Sequence, residues 1–176
     1  EDLEQRRKDL LLEANKRRML HIEAGPFNMG GSEDDSPPNE RPSHPVHLSG
    51  FYVDAFPVTN QDYREFVNCT GYKIPIHWQR GTYPTGLARH PITNVSWQDA
   101  KAYSEWMGAR LPTESEWEKS ARGKDERLYP WGRSPYGLWD MSGNVYEWCE
   151  DFYDEGYYTY SPSTNPKGPE GGQERA

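Results

Sequence analysis

The sequence predicts a small α+β domain dominated by loops, and three observations carry that prediction. Sixteen glycines and fifteen prolines in 176 residues leave little room for long regular elements. Short apolar–polar alternations near residues 19–24 and 47–55 have the period of strands. Three segments beginning at Thr59, Ser96 and Thr113 place a hydroxyl three residues before a carboxylate, the pattern of a capped helix start.

The elements follow in order. Residues 2–18 read as a charged helix with a weak apolar stripe of Leu3, Leu10 and Leu11, an extension outside the compact domain of residues 19–176. Residues 19–24 form a strand in which Leu20 and Ile22 alternate with His21 and Glu23, and Gly25-Pro26 breaks it. Residues 31–45 carry four prolines and several acids and read as a long surface loop. Alternation resumes over residues 47–55, with Phe51 and Val53 on one face. A helix capped by Thr59, with Asp62 three residues on, turns Tyr63, Phe66 and Val67 inward and ends at Gly71. A second, capped by Ser96, buries Ala100, Tyr103 and Met107 and stops at Gly108. A third opens with Thr113-Glu114-Ser115-Glu116, turns Trp117 and Ala121 inward and ends at Gly123. After Tyr153 the chain is rich in Tyr, Ser, Pro and Gly, with no periodicity.

Composition narrows the function classes. Hydrophobic residues make up 34% of the chain, so the core leans on its seven Trp and twelve Tyr. Net charge is −8 and no Lys/Arg stripe interleaves with the aromatics, which argues against nucleic acid as a partner. No apolar run reaches the length of a transmembrane helix, and no signal peptide is visible in the charged N-terminal stretch, where a cleaved one would leave no trace. Cys69 and Cys149 read as two separate thiols, although one bridge between them also fits the count. Asn68-Cys69-Thr70 matches a glycosylation sequon by its letters alone.

The richest stretch is Asp140-Met141-Ser142-Gly143-Asn144-Val145-Tyr146-Glu147-Trp148. It sets two carboxylates around a tight Gly-Asn turn, and calcium takes six to eight oxygens from carboxylates and backbone carbonyls. The competing reading pairs Glu147 with an arginine and leaves Asn144 to cap a turn. Elsewhere, His44 and His47 are three residues apart in a proline-broken segment and read as surface residues, while His77 and His90 stand alone. There is no nucleophile elbow and no glycine-rich phosphate cradle. Glu33-Asp34-Asp35 reads as a solvated loop. Trp97, Trp106 and Trp117 lie in or beside capped helices and read as core. Tyr153, Tyr157, Tyr158 and Tyr160 lie in irregular chain and are the candidates for a recognition surface.

Five segments in register resemble the formylglycine-generating enzyme family, also called sulfatase-modifying factors. They are Ile22-Glu23-Ala24-Gly25-Pro26-Phe27-Asn28-Met29-Gly30, Pro57-Val58-Thr59-Asn60, and His90-Pro91-Ile92-Thr93-Asn94-Val95-Ser96-Trp97. Arg110-Leu111-Pro112-Thr113-Glu114-Ser115-Glu116-Trp117-Glu118 and the stretch from Tyr136 to Trp148 complete the series. The resemblance implies a loop-rich α+β fold of the C-type-lectin-like class. It also implies a Ca²⁺ site, with side-chain oxygens from Asp140 and Glu147 and backbone carbonyls from Gly143 and Val145.

The resemblance also implies two departures. The enzymes carry an extra stretch where this chain has only Arg133-Ser134-Pro135 between Gly132 and Tyr136. Their C-terminal part, with the two catalytic cysteines that bind copper and activate oxygen, has no counterpart before Ala176. Cys69 and Cys149 do not match that pair, and Cu(I) needs soft thiolates held close together. The expected function is therefore a non-catalytic, calcium-stabilised binding or structural module. It would take a protein or peptide partner, in a larger assembly that is secreted, periplasmic or on the cell surface. The alternative is a copper-dependent oxidase that converts a sulfatase cysteine to formylglycine, with its catalytic cysteines outside this sequence. A non-haem iron oxygenase of the same fold would need convergent histidines that the sequence does not offer.

Overall fold

A computed structural model describes residues 19–32, 36–123 and 132–176. The helix expected over residues 2–18 and the acidic run Glu33-Asp34-Asp35 lie outside the described residues. The described residues divide into two compact units, Phe56–Arg110, and those of 19–55 with those of 111–176.

The second unit holds two small antiparallel sheets. Strand β1 (Met19–Ile22) pairs with β4 (Phe51–Asp54), setting Leu20 opposite Val53 and Ile22 opposite Phe51. Strand β2 (Gly25–Met29) pairs with β3 (His44–Leu48), setting Phe27 opposite Val46. Sequence alternation located β1 and β4. Two details differ from expectation. Gly25-Pro26 opens β2 instead of ending the strand region, and β3 begins at His44, inside the stretch read as loop. A two-stranded ribbon has free edges, so Pro26 and Pro45 can sit where no ladder N–H is required. Gly25 has φ 142°, a backbone setting that favours glycine. The single strand expected over residues 47–55 is also two strands with different partners, divided at Ser49-Gly50.

The capping prediction holds throughout. Helix α1 (Asn60–Thr70) lies in the first unit, with Thr59 and Asp62 completing a reciprocal box and Gly71 ending it at φ 71°. Helix α2 (Trp97–Trp106) repeats the device with Ser96 and Asp99. Helix α3 (Glu114–Arg122), in the second unit, does so with Thr113 and Glu116. A cap of this kind is worth about 1 kcal/mol, which matters for helices this short.

The first unit is organised around aromatic rings. Tyr63 stacks on Tyr103 at 5.8 Å, and Phe66 meets Tyr103 edge-on at 5.7 Å. Trp78, Val67 and Trp106 close over them. Asp99 ties Tyr72 and Lys73 to the start of α2, with Tyr72 Oη donating at 3.0 Å and Lys73 Nζ at 2.8 Å. In the second unit, Phe27, Met29, Val46 and Leu48 pack with Tyr157 and Tyr158. Ile22, Ala121, Leu138 and Met141 form a further cluster, against which Leu20, Val53 and Trp117 lie.

Candidate functional site

The Asp140–Trp148 stretch is held in place at both ends by backbone hydrogen bonds. Upstream, Ser134 N–H donates to Leu138 O at 2.8 Å and Trp139 N–H to Ala55 O at 3.0 Å. Downstream, Cys149 N–H donates to Ala176 O at 2.9 Å and Glu150 N–H to Pro112 O at 2.8 Å. Leu138 and Met141 are buried and anchor the segment on either side of Asp140. Asp140 takes φ 60° and Gly143 φ 82°, so the chain turns sharply twice within four residues. A short polar side chain tolerates the first turn and glycine the second.

Asp140 is exposed and Glu147 only partly so. The indole N–H of Trp117, one turn into α3, donates to Glu147 Oε2 at 2.8 Å. Burial raises the Glu147 carboxyl above its ordinary range; the Trp117 hydrogen bond opposes that rise, and the charge of Asp140 adds to it. Two carboxylates therefore feel one another across the turn. Among the described residues, neither pairs with an arginine, the Asn144 side chain caps nothing, and the carbonyls of Gly143 and Val145 accept no hydrogen bond. This donor set is all oxygen, carries two negative charges and leaves two carbonyls uncommitted, which fits a hard cation such as calcium. Among the described residues, no three His, Cys, Asp or Glu side chains gather as a metal group.

A second polar feature lies in the same unit. Glu114 stands at the first position of α3, and its backbone N–H donates to Asp151 Oδ2 at 2.9 Å. The Tyr158 hydroxyl donates to Glu114 Oε1 at 3.1 Å and reaches Glu118 Oε2 at 3.3 Å. Glu118 Oε1 also accepts from Gly30 N–H at 2.8 Å and from Arg122 Nη1 at 2.6 Å. Burial pushes Glu114 up to about 7, against the Tyr158 hydrogen bond and with help from Asp151 and Glu118. Burial likewise pushes Asp151 up to about 6, although the N–H of Glu114 opposes it. Lys119 is fully buried on this helix, donating from Nζ to Glu23 O and Gly25 O at 2.9 Å each. Apolar periodicity gave no signal for these groups, because Lys119 and Glu114 read as solvent-facing in any helical pattern.

The cysteines do not fit a copper pair. Cys69 is an exposed thiol in the first unit and Cys149 a buried thiol in the second, and the two are not joined in a disulfide. Burial, aided by Glu114 and Asp151, raises the Cys149 thiol well above its ordinary value.

The histidines do not converge either. His44 and His47 sit three apart on β3, so their side chains leave opposite faces. His44 Nδ1 lies 2.9 Å from Pro42 O, and its ring meets Tyr158 edge-on at 5.4 Å. The tyrosine surface needs correction. Tyr157 and Tyr158 are each 5% exposed, because the short turn Tyr157–Thr159 folds them onto the β2–β3 core. Only Tyr153 and Tyr160 of that group remain exposed. Trp106 and Trp117 pack on the aromatic and aliphatic clusters as expected, while Trp97 is half-buried beneath the ammonium of Lys101 at 4.8 Å. No helix of the described residues is long and apolar enough to cross a membrane.

Comparison with known proteins agrees with the motifs. The chain matches the sulfatase-modifying factor enzyme 1-like domain over residues 8–135 and 132–174. It is 31% identical to the formylglycine-generating enzyme of Thermomonospora curvata, covering 89% of this chain and 80% of that protein. That alignment runs over 241 residues, more than this chain contains, so the Thermomonospora protein has internal segments with no counterpart here. The chain is also 35% identical to the serine/threonine-protein kinase Pkn1 of Chlamydia pneumoniae over 87% of its own length, but spans only 30% of that protein. Among solved structures it resembles PvdO from Pseudomonas aeruginosa, with a TM-score of 0.70 at 26% identity over 86% of this chain and 77% of that one. The chain belongs to the sulfatase-modifying factor, or formylglycine-generating enzyme, family.

Proposed function

We propose that this chain is a calcium-stabilised binding or structural module built on the formylglycine-generating enzyme scaffold, with a fold of the C-type-lectin-like kind. One observation carries the reading: Asp140, Gly143, Val145 and Glu147 present an all-oxygen donor set with two carboxylates and two uncommitted carbonyls. Calcium bound there would tie the turn to α3 and supply no redox chemistry. The occurrence of a similar domain within the much longer Pkn1 protein supports a modular role; in this proposal the module takes a protein or peptide partner.

Thermal melting with excess EDTA or with calcium tests the reading. A ligand present at 100 times its dissociation constant adds about 2.7 kcal/mol. For a domain of this size that is a rise of about 5–10 °C in Tm. Glu147→Gln and Asp140→Asn should each remove most of the rise. An unchanged wild-type Tm, with no heat of binding in calorimetry, would refute the calcium site.

A second reading has its own support, the 31% identity to a formylglycine-generating enzyme across most of that protein's length. Copper-dependent oxidation of a sulfatase cysteine would require a cysteine pair outside this sequence. Incubating the longest natural form of the protein with a Cys-x-Pro-x-Arg peptide, copper and oxygen separates the readings. Aldehyde formation would favour the oxidase, and an unchanged peptide the module.

A further inference from the structure

We infer that Trp117 is the positioning residue of the calcium loop, fixing both of its carboxylates from helix α3. The inference rests on the calcium reading above and names the group through which that site is organised. Trp117 acts on the two sides of the turn by different forces. Its ring packs on the cluster of Ile22, Ala121, Leu138 and Met141, and Leu138 and Met141 bracket Asp140. Its indole N–H donates to Glu147 Oε2 at 2.8 Å, which leaves Oε1 as the oxygen that would be offered to a cation. Indole is a donor only, so it neutralises no charge and competes for no metal. It lowers the freedom of a side chain that would otherwise have to be ordered when calcium binds.

The anchor is itself rigid. Trp117 N–H donates to Thr113 O at 2.9 Å, inside the turn that the Thr113–Glu116 box closes. The Asp140 side chain has no hydrogen-bond or ion-pair partner among the described residues; its backbone N–H donates to Gly132 O at 3.3 Å, and the packing of Leu138 and Met141, in the cluster that Trp117 lies against, holds it on either side. Groups that hold metal ligands from behind are worth about 10–100-fold in affinity when lost.

Trp117→Phe separates the two forces, because it keeps most of the packing and removes the N–H. Isothermal titration should show calcium affinity falling about 10-fold, at the lower edge of the range for such groups. The Tm in EDTA should stay close to wild type, while the calcium-induced rise shrinks. A variant that binds calcium like wild type would overturn the inference, as would one whose Tm falls equally with and without calcium, since that is a packing role alone. Should Trp117→Phe fail to fold, nuclear magnetic resonance of the wild-type chain decides. The assigned Trp117 indole N–H should shift and gain protection from exchange on calcium addition, and an indifferent resonance would refute the role. Failure of the wild type to bind calcium at all would remove the calcium reading itself, which is distinct from a wild type that binds beside a Trp117→Phe chain that binds equally well.

Discussion

Replacing Glu114 by glutamine should stabilise this protein at alkaline pH and leave it nearly unchanged at acid pH. The carboxyl of Glu114 is raised from 4.5 to about 7 by burial at the start of α3, with Asp151, Glu118 and Glu40 adding to the rise. A group held protonated by the fold makes the native state bind more protons than the unfolded chain, so stability falls as pH rises between those two values. The loss begins near pH 4.5, where the unfolded carboxyl ionises, and levels off above about pH 7. The shift corresponds to about 3 kcal/mol at about 1.4 kcal/mol per unit, an upper figure because water and neighbouring groups relax around the charge.

Glutamine cannot ionise, and its carbonyl can still accept the Tyr158 hydroxyl that now sits 3.1 Å from Glu114 Oε1. Urea denaturation in EDTA at pH 4.5 and pH 8 measures the effect. Glu114→Gln should gain about 1–3 kcal/mol at pH 8 and at most a few tenths at pH 4.5. Part of the wild-type slope should persist in the variant, because Asp151 is also raised, to about 6, and titrates in the same direction. A variant equally destabilised at both pH values would refute the reasoning, since it would mean that the helix start needs the ionised carboxylate.

Two further outcomes follow from buried groups. Alkylation by iodoacetamide should label exposed Cys69 and spare Cys149 until denaturant is added, as mass spectrometry of tryptic peptides would read; equal labelling in the native state would contradict the burial of Cys149. Lys119→Met fills much the same volume but takes donors from Glu23 O and Gly25 O. It should cost about 1–3 kcal/mol in urea denaturation, and a neutral result would show that water replaces the ammonium.

How far the sequence revealed this molecule depends on the range of the interaction. Caps act within four residues, so the boxes at Thr59, Ser96 and Thr113 and the helices they open were legible. Leu20, Ile22, Phe51 and Val53 were legible because a strand's period is also local. The β2–β3 ribbon was hidden by Pro26 and Pro45, which are excluded from sheet interiors but tolerated at ribbon edges. Tyr158 was misread for a different reason. It became core only because distant Met29 and Val46 supply an apolar face. Lys119 and Glu114 were invisible because their partners lie far away in sequence, at Glu23, Gly25 and Tyr158. The Asp140–Glu147 stretch was legible as chemistry, but nothing local marked Trp117 as the group that orients Glu147.

The placement of charge in the second unit means that a cation at the proposed loop would act on charge as well as close a turn. Glu114, Glu147 and Asp151 are all held above their ordinary range chiefly by burial, and the Cys149 thiol between them in sequence feels all three. Such an interior is short of positive charge: Arg122 is engaged by Glu118 and Gly30 O, and the Lys119 ammonium is turned to the backbone carbonyls of Glu23 and Gly25. A divalent cation at Asp140 and Glu147 would add two positive charges at a turn where Asp140 is exposed and Glu147 partly so. Glu147 would then ionise at lower cost, because opposite charge beside it favours the charged form. The stability gained from calcium should therefore grow with pH as the Glu147 carboxyl, raised by burial and by Asp140, ionises. On this view the ion offsets the charge at the loop, and α3 connects the two polar features, with Trp117 facing the loop and Glu114 and Glu118 facing Tyr158.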